Sequence, residues 1–372
     1  MSNRISSSVS RRTFLSYLGL TAGVAALGIY ANNNRMLVAP GNASPRPQNA
    51  ALAVLKAMEA YPLIALGEAH QLQEEHDFIV TLLHHPLLPD KINDIVVEFG
   101  NARYQDIADR FIMDGEPMAY AELCQIWRNT VVSGANPVWD APVYERFFRT
   151  VRAINQTLPS SRRLRVLLGD PPIDWSKVQS REDWMGCALH RDSHFAGVVE
   201  QEVLRKGRRA LLIAGTGHFL RGERTDGDPD QPIDKAPLNT CTLLEQRYPR
   251  ALFAIDVLLF LPTDRGPESK LVSSWARPAL AMLAGTWLGA ETIATSGTRA
   301  TTLAKRSDAV LYLGQGDQLT ASRPNPALYK SGAYAQELRR RGNLLIKWGI
   351  QSPGDPLEQA LQAAEKGRSY FA

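Results

Sequence analysis

The sequence predicts an α/β protein: a single large domain with a mostly parallel central sheet and helices on both faces. Short β-rich runs recur along the chain, and each of them stops at a glycine or at a polar cluster. Amphipathic stretches with helical spacing lie between these runs. The chain has 372 residues and is 44% hydrophobic, which is enough for a sizeable core. Strands that alternate with helices are typical of a sheet that is covered on both sides.

The predicted elements follow from these runs in chain order. The apolar runs that predict strands span residues 62–66, 94–97, 164–168, 210–214, 251–260 and 309–313. Helical spacing marks residues 51–58, 72–85, 103–111, 141–156, 192–206, 335–348 and 357–366. Asp355 before Pro356 predicts the start of the last helix, since an acidic N-cap followed by proline is a common helix start.

Composition excludes several classes of protein. The 42 basic and 38 acidic residues are spread through the chain, so there is no basic stripe of the kind that binds nucleic acid. Three cysteines are too few for a disulfide-dense scaffold or a four-cysteine zinc site. They are Cys124, Cys187 and Cys241.

The N-terminus has the layout of a twin-arginine export signal. Residues 10–16 read SRRTFLS, a mildly apolar run rich in glycine and alanine follows, and the first fifty residues contain no acid. The prediction is a signal at 1–31, a polar linker at 32–50 and the folded domain at 51–372. The expected partner is the twin-arginine translocase, and the expected location is periplasmic or secreted. Whether the signal is cleaved or anchors the chain to the inner membrane stays open.

Removal of this signal would change the charge of the protein. Residues 1–31 contain three arginines and no acid, so their loss lowers the net charge from +4 to +1. The basic character of the whole chain is therefore no evidence for an anionic partner.

Polar side chains follow the predicted strands, at the point where each strand ends. Glu68 and His70, Glu98, Asp170 and His218 occupy such positions. Because the carboxyl ends of parallel strands meet at one edge of a sheet, we expect these side chains to converge. Glu98 also ends a run that looks fully buried, and a buried carboxylate needs a partner. We therefore predict Glu68, His70, Glu98 and His218 as catalytic residues, since His and carboxylates perform general acid–base catalysis.

Further candidates lie beside these residues. Arg191 and Asp170 are predicted to bind substrate, and Arg191 could instead bind an active-site carboxylate. His76 is a second ligand or a hydrogen-bond partner; Glu74 and Glu75 compete for that role, and one of them is expected only to face solvent. The same chemistry suits a divalent Mn, Co, Zn or Fe ion. Its predicted ligands are His70, Glu98, His218 and His76.

These motifs together resemble those of the ChaN, erythromycin-esterase and Tiki–TraB superfamily. The resemblance covers about residues 55–260 and includes Gly67-Glu68-Ala69-His70 with His76, Val97-Glu98, and Gly215-Thr216-Gly217-His218. The spacing between Glu68 and His70 is closer to that of the ChaN-like branch, since the esterase branch has one residue more there.

The resemblance implies three activities. Erythromycin-esterase-like members hydrolyse a macrolactone ester, which implies His70 as the base, Glu68 and Glu98 as its orienting groups, and His218 as a group that binds substrate or stabilises charge. ChaN-like members are associated with haem binding and iron uptake, and Tyr104 and Tyr144 are the candidate haem contacts. Tiki-like members are metal-dependent peptidases.

The predicted function is that of an exported hydrolase that cleaves an ester or amide bond of a small molecule or peptide. The alternative is a haem- or iron-binding uptake protein without catalysis. A third possibility is a structural role in the envelope.

Overall fold

The structure is a computed structural model that describes residues 42–134, 137–222, 224, 235–259, 266–293 and 301–371. The predicted signal and most of the predicted linker lie outside these residues. Within the described ranges, every helix is too short or too polar to span a bilayer.

An eight-stranded sheet lies at the centre of the protein. The described residues form ten strands, which are in chain order β1 (Gln48–Asn49), β2 (Leu63–Glu68), β3 (Asp94–Asn101), β4 (Arg165–Asp170), β5 (Ala210–Gly215), β6 (Leu252–Val257), β7 (Ala279–Met282), β8 (Thr292–Ile293), β9 (Thr301–Thr302) and β10 (Ala309–Tyr312). The order in the main sheet is β1-β7-β10-β6-β2-β5-β3-β4, and β8 pairs with β9 separately. The strands from β10 to β4 are parallel to one another, whereas β7 is antiparallel to both β10 and β1. The prediction of a mostly parallel sheet is confirmed.

The sequence missed four strands: β8 and β9 form the separate pair, and β1 and β7 lie at one edge of the main sheet. β7 has only four residues and follows Pro278, so its pattern is too short to stand out. β1 consists of two polar residues, Gln48 and Asn49, which pair with β7. Because both residues lie inside the predicted linker, the predicted end of the linker at residue 50 was wrong. The predicted strand at 251–260 is also shorter, since β6 ends at Val257.

The helices fill the stretches between the strands. They are α1 (Ala50–Ala60), α2 (Gln73–Leu83), α3 (Gln105–Ile112), α4 (Tyr120–Leu123), α5 (Gln125–Arg128), α6 (Pro142–Thr157), α7 (Arg181–Ala188), α8 (Arg191–Val198), α9 (Thr240–Arg247), α10 (Pro267–Ser273), α11 (Trp287–Ala290), α12 (Leu303–Arg306), α13 (Ala333–Lys347) and α14 (Pro356–Glu365). The predicted helix at 192–206 is α8 followed by a π-helical turn and a 3₁₀ turn, which Gly207 ends in the left-handed conformation at φ +62°. Asp355 caps α14 as predicted by accepting the Leu357 N–H.

Both faces of the sheet are covered, because successive residues of each central strand enter different hydrophobic clusters. In β2, Ile64 and Leu66 join the larger cluster, which includes residues of α1, α2, α3 and α6. Leu63 and Ala65 join the second cluster, with residues of α8 and α9. The near-continuous apolar runs of the sequence reflect this double burial.

The order of the strands determines where the candidate site lies. β2, β5, β3 and β4 are neighbours, so the loops that follow their carboxyl ends open at the same edge of the sheet. The register between β2 and β5 sets Glu68 opposite Gly215.

Candidate active site

The predicted site residues converge at the carboxyl edge of the sheet. Glu68 is the last residue of β2, Glu98 lies near the end of β3, Asp170 ends β4, and His218 lies in the turn after β5. His218 Nε2 is 3.2 Å from Glu98 Oε1. The side chains at these strand ends therefore lie close together, as expected; their role as one functional site stays a prediction.

Glu68 is buried and anchored by two neighbours. Its Oε1 accepts hydrogen bonds from the Tyr144 hydroxyl at 2.7 Å and from His76 Nε2 at 2.8 Å. Because an ionised carboxylate only accepts, His76 carries its proton on Nε2. Burial raises the pKa of Glu68, but the charges of His70 and His76 and the hydrogen bond from His76 outweigh burial and lower it to about 2. Glu68 is therefore a fixed anion at neutral pH.

His70 is partly exposed, with 23% of its side-chain surface accessible to solvent. Its Nδ1 lies 3.4 Å from Glu68 Oε2, and in the described part of the chain neither atom has a hydrogen-bond partner. The ring packs edge-on against Trp139, at 4.7 Å between centroids. Burial lowers the pKa of His70, but the negative charges of Glu68 and Glu98 outweigh it and raise the pKa above its usual value. Both carboxylates thus favour the imidazolium.

Glu98 is bound by both positively charged groups of the site, Arg191 and His218. Its Oε1 accepts from Arg191 Nη2 and His218 Nε2, and its Oε2 accepts from the Gly215 N–H at 2.6 Å. Burial raises the pKa of Glu98, yet the charges of His218 and Arg191 hold it well below the usual range. The costly burial of this carboxylate, inferred from the sequence, is offset by these partners.

Arg191 bridges two carboxylates. Besides Glu98, its Nε donates to Asp170 Oδ1 at 3.0 Å. Asp170 Oδ2 accepts the Val131 N–H at 2.7 Å, so both oxygens of Asp170 are engaged. Of the two predicted roles of Arg191, the structure shows the contact with active-site carboxylates. Contact of Arg191 or Asp170 with substrate stays a prediction.

His218 is held by a residue that the sequence did not single out. Its Nδ1 is 2.8 Å from Asp192 Oδ1, which also accepts from the backbone N–H and the hydroxyl of Thr240. Burial lowers the pKa of His218, but Asp192 and Glu98 outweigh it and raise the pKa to about 10. His218 is therefore an imidazolium at neutral pH. In the sequence, Asp192 resembled an ordinary acid at the start of a helix, and no local signal distinguishes the two.

Gln71 and Tyr144 support the turn that carries His70. Gln71 adopts a left-handed conformation with φ +66°, which a non-glycine residue rarely adopts. Its N–H donates to the Tyr144 hydroxyl at 3.0 Å, its Nε2 donates to Val138 O, and its carbonyl accepts from Ser322 N–H. The turn is thereby tied to three distant segments, which maintain the strained conformation.

The two haem contacts that the resemblance suggested differ in burial: Tyr144 is buried, and Tyr104 is partly exposed. Tyr144 is fully buried, and its hydroxyl donates to Glu68 and accepts from Gln71. The prediction for Tyr144 was wrong because its hydroxyl lies in the core. The Tyr104 hydroxyl accepts a hydrogen bond from Asn129 Nδ2 at 3.0 Å.

The expectation that Glu74 or Glu75 only faces solvent was also wrong. Glu74 accepts from both the N–H and the hydroxyl of Thr320. Glu75 is completely buried, and its Oε2 accepts the Ala69 N–H at 2.8 Å. The helical period of α2 turns both side chains toward the protein: Glu74 faces Thr320, and Glu75 lies beneath the turn that carries His70.

Three side chains have the arrangement of a metal-ligand group. Glu68, His70 and Glu98 each offer one ligand atom, and these atoms all lie within 4.8 Å of one another. Carboxylate oxygen and imidazole nitrogen suit the predicted ions. His76 and His218, the other predicted ligands, are outside this group: His76 binds a carboxylate through Nε2, and His218 binds carboxylates through both ring nitrogens.

Comparison with known proteins yields structural likeness only. No family model and no curated protein matches the sequence. A succinoglycan biosynthesis protein is 10% identical, with a TM-score of 0.49 over 73% of this chain and 94% of that one. An erythromycin esterase mutant, EreC in its open conformation, is 13% identical, with a TM-score of 0.47 over 71% and 93%. ChaN of Campylobacter jejuni, described with cofacial haem binding, is 12% identical, with a TM-score of 0.37 over 70% and 90%.

These solved structures include two of the three groups that the strand-end motifs resemble, ChaN and an erythromycin esterase. Their TM-scores lie below 0.5, and such distant likeness assigns neither a ligand nor a reaction. The function therefore has to be argued from the residues of the site.

Proposed function

We propose that the protein is a hydrolase that cleaves an ester or amide bond with His70 as its general base. One observation supports this above all: a partly exposed imidazole lies between two buried carboxylates, with Nδ1 directed at Glu68 Oε2, 3.4 Å away. A carboxylate in this position keeps the proton on Nδ1 and leaves Nε2 free to accept a proton. The exposed part of the His70 side chain lets water reach the imidazole ring.

The reaction follows from this arrangement. His70 Nε2 takes a proton from water as the water oxygen forms a bond to the carbonyl carbon. The imidazolium that results is stabilised by Glu68 and Glu98. When the carbon–oxygen or carbon–nitrogen bond breaks, His70 returns the proton to the leaving group, and a carboxylic acid is the second product. Tyr144 and His76 keep Glu68 in place through both steps.

Arg191 and His218 supply positive charge beside the reacting centre. Both nitrogen atoms of His218 bind carboxylates, so it acts through its charge rather than as a donor to substrate. Fixed positive charge favours the oxyanion that develops as water adds to the carbonyl group.

A panel of ester and peptide substrates tests the proposal. For the substrate that is turned over, His70→Ala is expected to lower kcat/KM by about 10²- to 10⁴-fold, the usual contribution of a general base. His84→Ala is the matched control, because His84 lies at the exposed end of α2 and its Nδ1 contacts only Val80 O. If His70→Ala retained wild-type kcat/KM, the proposed role of His70 would be wrong.

A divalent ion is compatible with the same reaction. Glu68, His70 and Glu98 would hold it, and a bound ion would supply a Lewis acid that polarises water or the carbonyl group. Metal analysis of the purified protein, followed by an activity assay with a chelator, distinguishes a metal-dependent hydrolase from a metal-free one. Loss of activity with chelator and recovery with Mn or Co would show that the hydrolase needs the ion; unchanged activity would show that His70 acts alone.

We also propose that the protein acts in the periplasm or outside the cell, as the signal layout of residues 1–31 suggests. N-terminal sequencing of protein recovered from the periplasm tests both export and cleavage. Titration of the same material with hemin tests the alternative function, since a haem-binding protein would develop a Soret band.

A further inference from the structure

Glu75 is a buried acid that the proposed reaction does not use. It lies in the first turn of α2, and none of its surface is exposed. Its Oε2 accepts the backbone N–H of Ala69 at 2.8 Å. Ala69 is the residue between Glu68 and His70, so this hydrogen bond is made inside the turn that carries both groups.

The contact restrains the peptide on both sides of Ala69. The Ala69 carbonyl accepts from Leu72 N–H at 2.9 Å, while its N–H is held by Glu75. With both polar groups of Ala69 engaged, the backbone between Glu68 and His70 has little freedom to rotate. Rotation there would change the 3.4 Å separation between His70 Nδ1 and Glu68 Oε2.

We propose that Glu75 is a positioning residue that, through the Ala69 amide, sets the orientation of His70 toward Glu68. This role serves the general base of the proposed hydrolysis, and to that extent it rests on the proposed function. Among the described residues, Glu75 shares no hydrogen bond with His70, so its effect is carried by the Ala69 backbone.

The hydrogen bond from the Ala69 N–H needs an acceptor oxygen at this position. In the described part of the chain no cation pairs with it, and its Oε1 has no hydrogen-bond partner. Burial and the negative charge of Glu68 raise the pKa of Glu75 well above its usual value. The contact with Ala69 is one hydrogen bond from a backbone N–H, which an amide oxygen accepts as well as a carboxyl oxygen does. Glutamine, which has the same length and a neutral acceptor oxygen, should therefore replace it.

The test compares Glu75→Gln with Glu75→Met in the full chain. Methionine has a similar length but only a weakly accepting sulfur, so the Ala69 N–H is left unsatisfied. We expect Glu75→Met to lower kcat by about tenfold or more with KM within about twofold, since a small misplacement of a catalytic group slows the chemical step. We expect Glu75→Gln to keep kcat within about twofold. Glu74→Met is the control in the same turn, because Glu74 holds Thr320 instead.

A second readout does not need turnover. The imidazole signals of His70, assigned by NMR with the His70→Ala variant, should move in Glu75→Met and stay in place in Glu75→Gln and Glu74→Met. If no substrate is hydrolysed, the proposed function fails while this comparison still decides the positioning role. If Glu75→Met does not fold, Glu75→Asp takes its place, because the shorter side chain withdraws the acceptor. Unchanged His70 signals in folded Glu75→Met, or in its substitute Glu75→Asp, would overturn the proposal. A loss of kcat in Glu75→Gln as large as in Glu75→Met would also overturn it.

Discussion

Two side chains of the site come together above Gly215, and a methyl group there would meet both. A Cβ on this residue would lie 2.8 Å from His70 Cε1 and 3.4 Å from Glu98 Oε2. Because β2 and β3 flank β5, the glycine at the end of β5 leaves the space in which the two groups meet. Gly215, the first residue of the Gly215-Thr216-Gly217-His218 motif, therefore allows His70 and Glu98 to approach each other, in addition to allowing the turn that follows.

Gly215→Ala is expected to reduce activity more than stability. The atoms that the new methyl group meets first belong to the His70 ring, which can move aside with little effect on the backbone. We expect kcat/KM to fall at least about tenfold, because His70 would lose its orientation toward Glu68. Steady-state kinetics and thermal unfolding of the variant measure the two effects.

Gly217→Ala is the matched control for that change. It lies two residues later in the same motif, and no atom lies within 4 Å of the position of its Cβ. It should keep wild-type kcat/KM. Equal losses in the two variants would mean that the motif needs glycine only for its turn.

At the scale of elements, the close contact between β4 and α8 determines where the positive groups lie. Gly169 in β4 faces Phe195 of α8, and a Cβ there would be 2.3 Å from the Phe195 ring and 3.0 Å from the Val97 carbonyl. The first turn of α8 carries Arg191 and Asp192. The distance between helix and strand thus affects the ion pairs of Arg191 with Glu98 and Asp170.

We expect Gly169→Ala to destabilise the protein by about 1–3 kcal/mol, the usual cost of overpacking a core. The backbone carbonyl on one side prevents a simple adjustment, so α8 has to move outward. Gly197→Ala in the same helix is the control, because nothing lies within 4 Å of its Cβ position and alanine favours a helix by about 1 kcal/mol over glycine. Urea unfolding measures both, and a neutral Gly169→Ala would show that this contact is looser than the structure indicates.

For the whole molecule, His218 links stability to pH. The pKa of its imidazolium rises from 6.5 to about 10 on folding. A group with a raised folded pKa contributes stability that is complete below the unfolded pKa and is lost as pH rises through the folded pKa. The contribution of His218 is therefore present at pH 6 and declines between about pH 6.5 and 10.

The difference in unfolding free energy between wild type and His218→Gln should accordingly shrink as pH rises from 6 toward 10. Urea unfolding of both proteins across this range measures it, and the common effect of pH on other groups cancels in the difference. A difference that stays constant with pH would mean that His218 is neutral in the folded protein.

The sequence predicted the central strands because their residues are buried on both faces, which leaves continuous apolar runs such as Ile95, Val96 and Val97. It missed β7 and β1 because edge strands of four and two residues depend on their neighbours for pairing. Glu68, His70, Glu98 and His218 could be predicted because the chain topology alone brings strand ends together. The roles of Asp192, Tyr144 and Glu75 could not, since each depends on a contact between separate segments.

By itself, the sequence determined the fold class and the edge of the sheet at which the polar groups meet, because both follow from hydrophobic patterning and strand direction. It also determined that the cluster combines imidazoles with carboxylates. Only the tertiary structure decided which groups are charged and which are free to react. Charge depends on burial and on partners within about 4 Å, and those partners come from distant segments: Tyr144 for Glu68, Asp192 for His218, and Arg191 for Glu98.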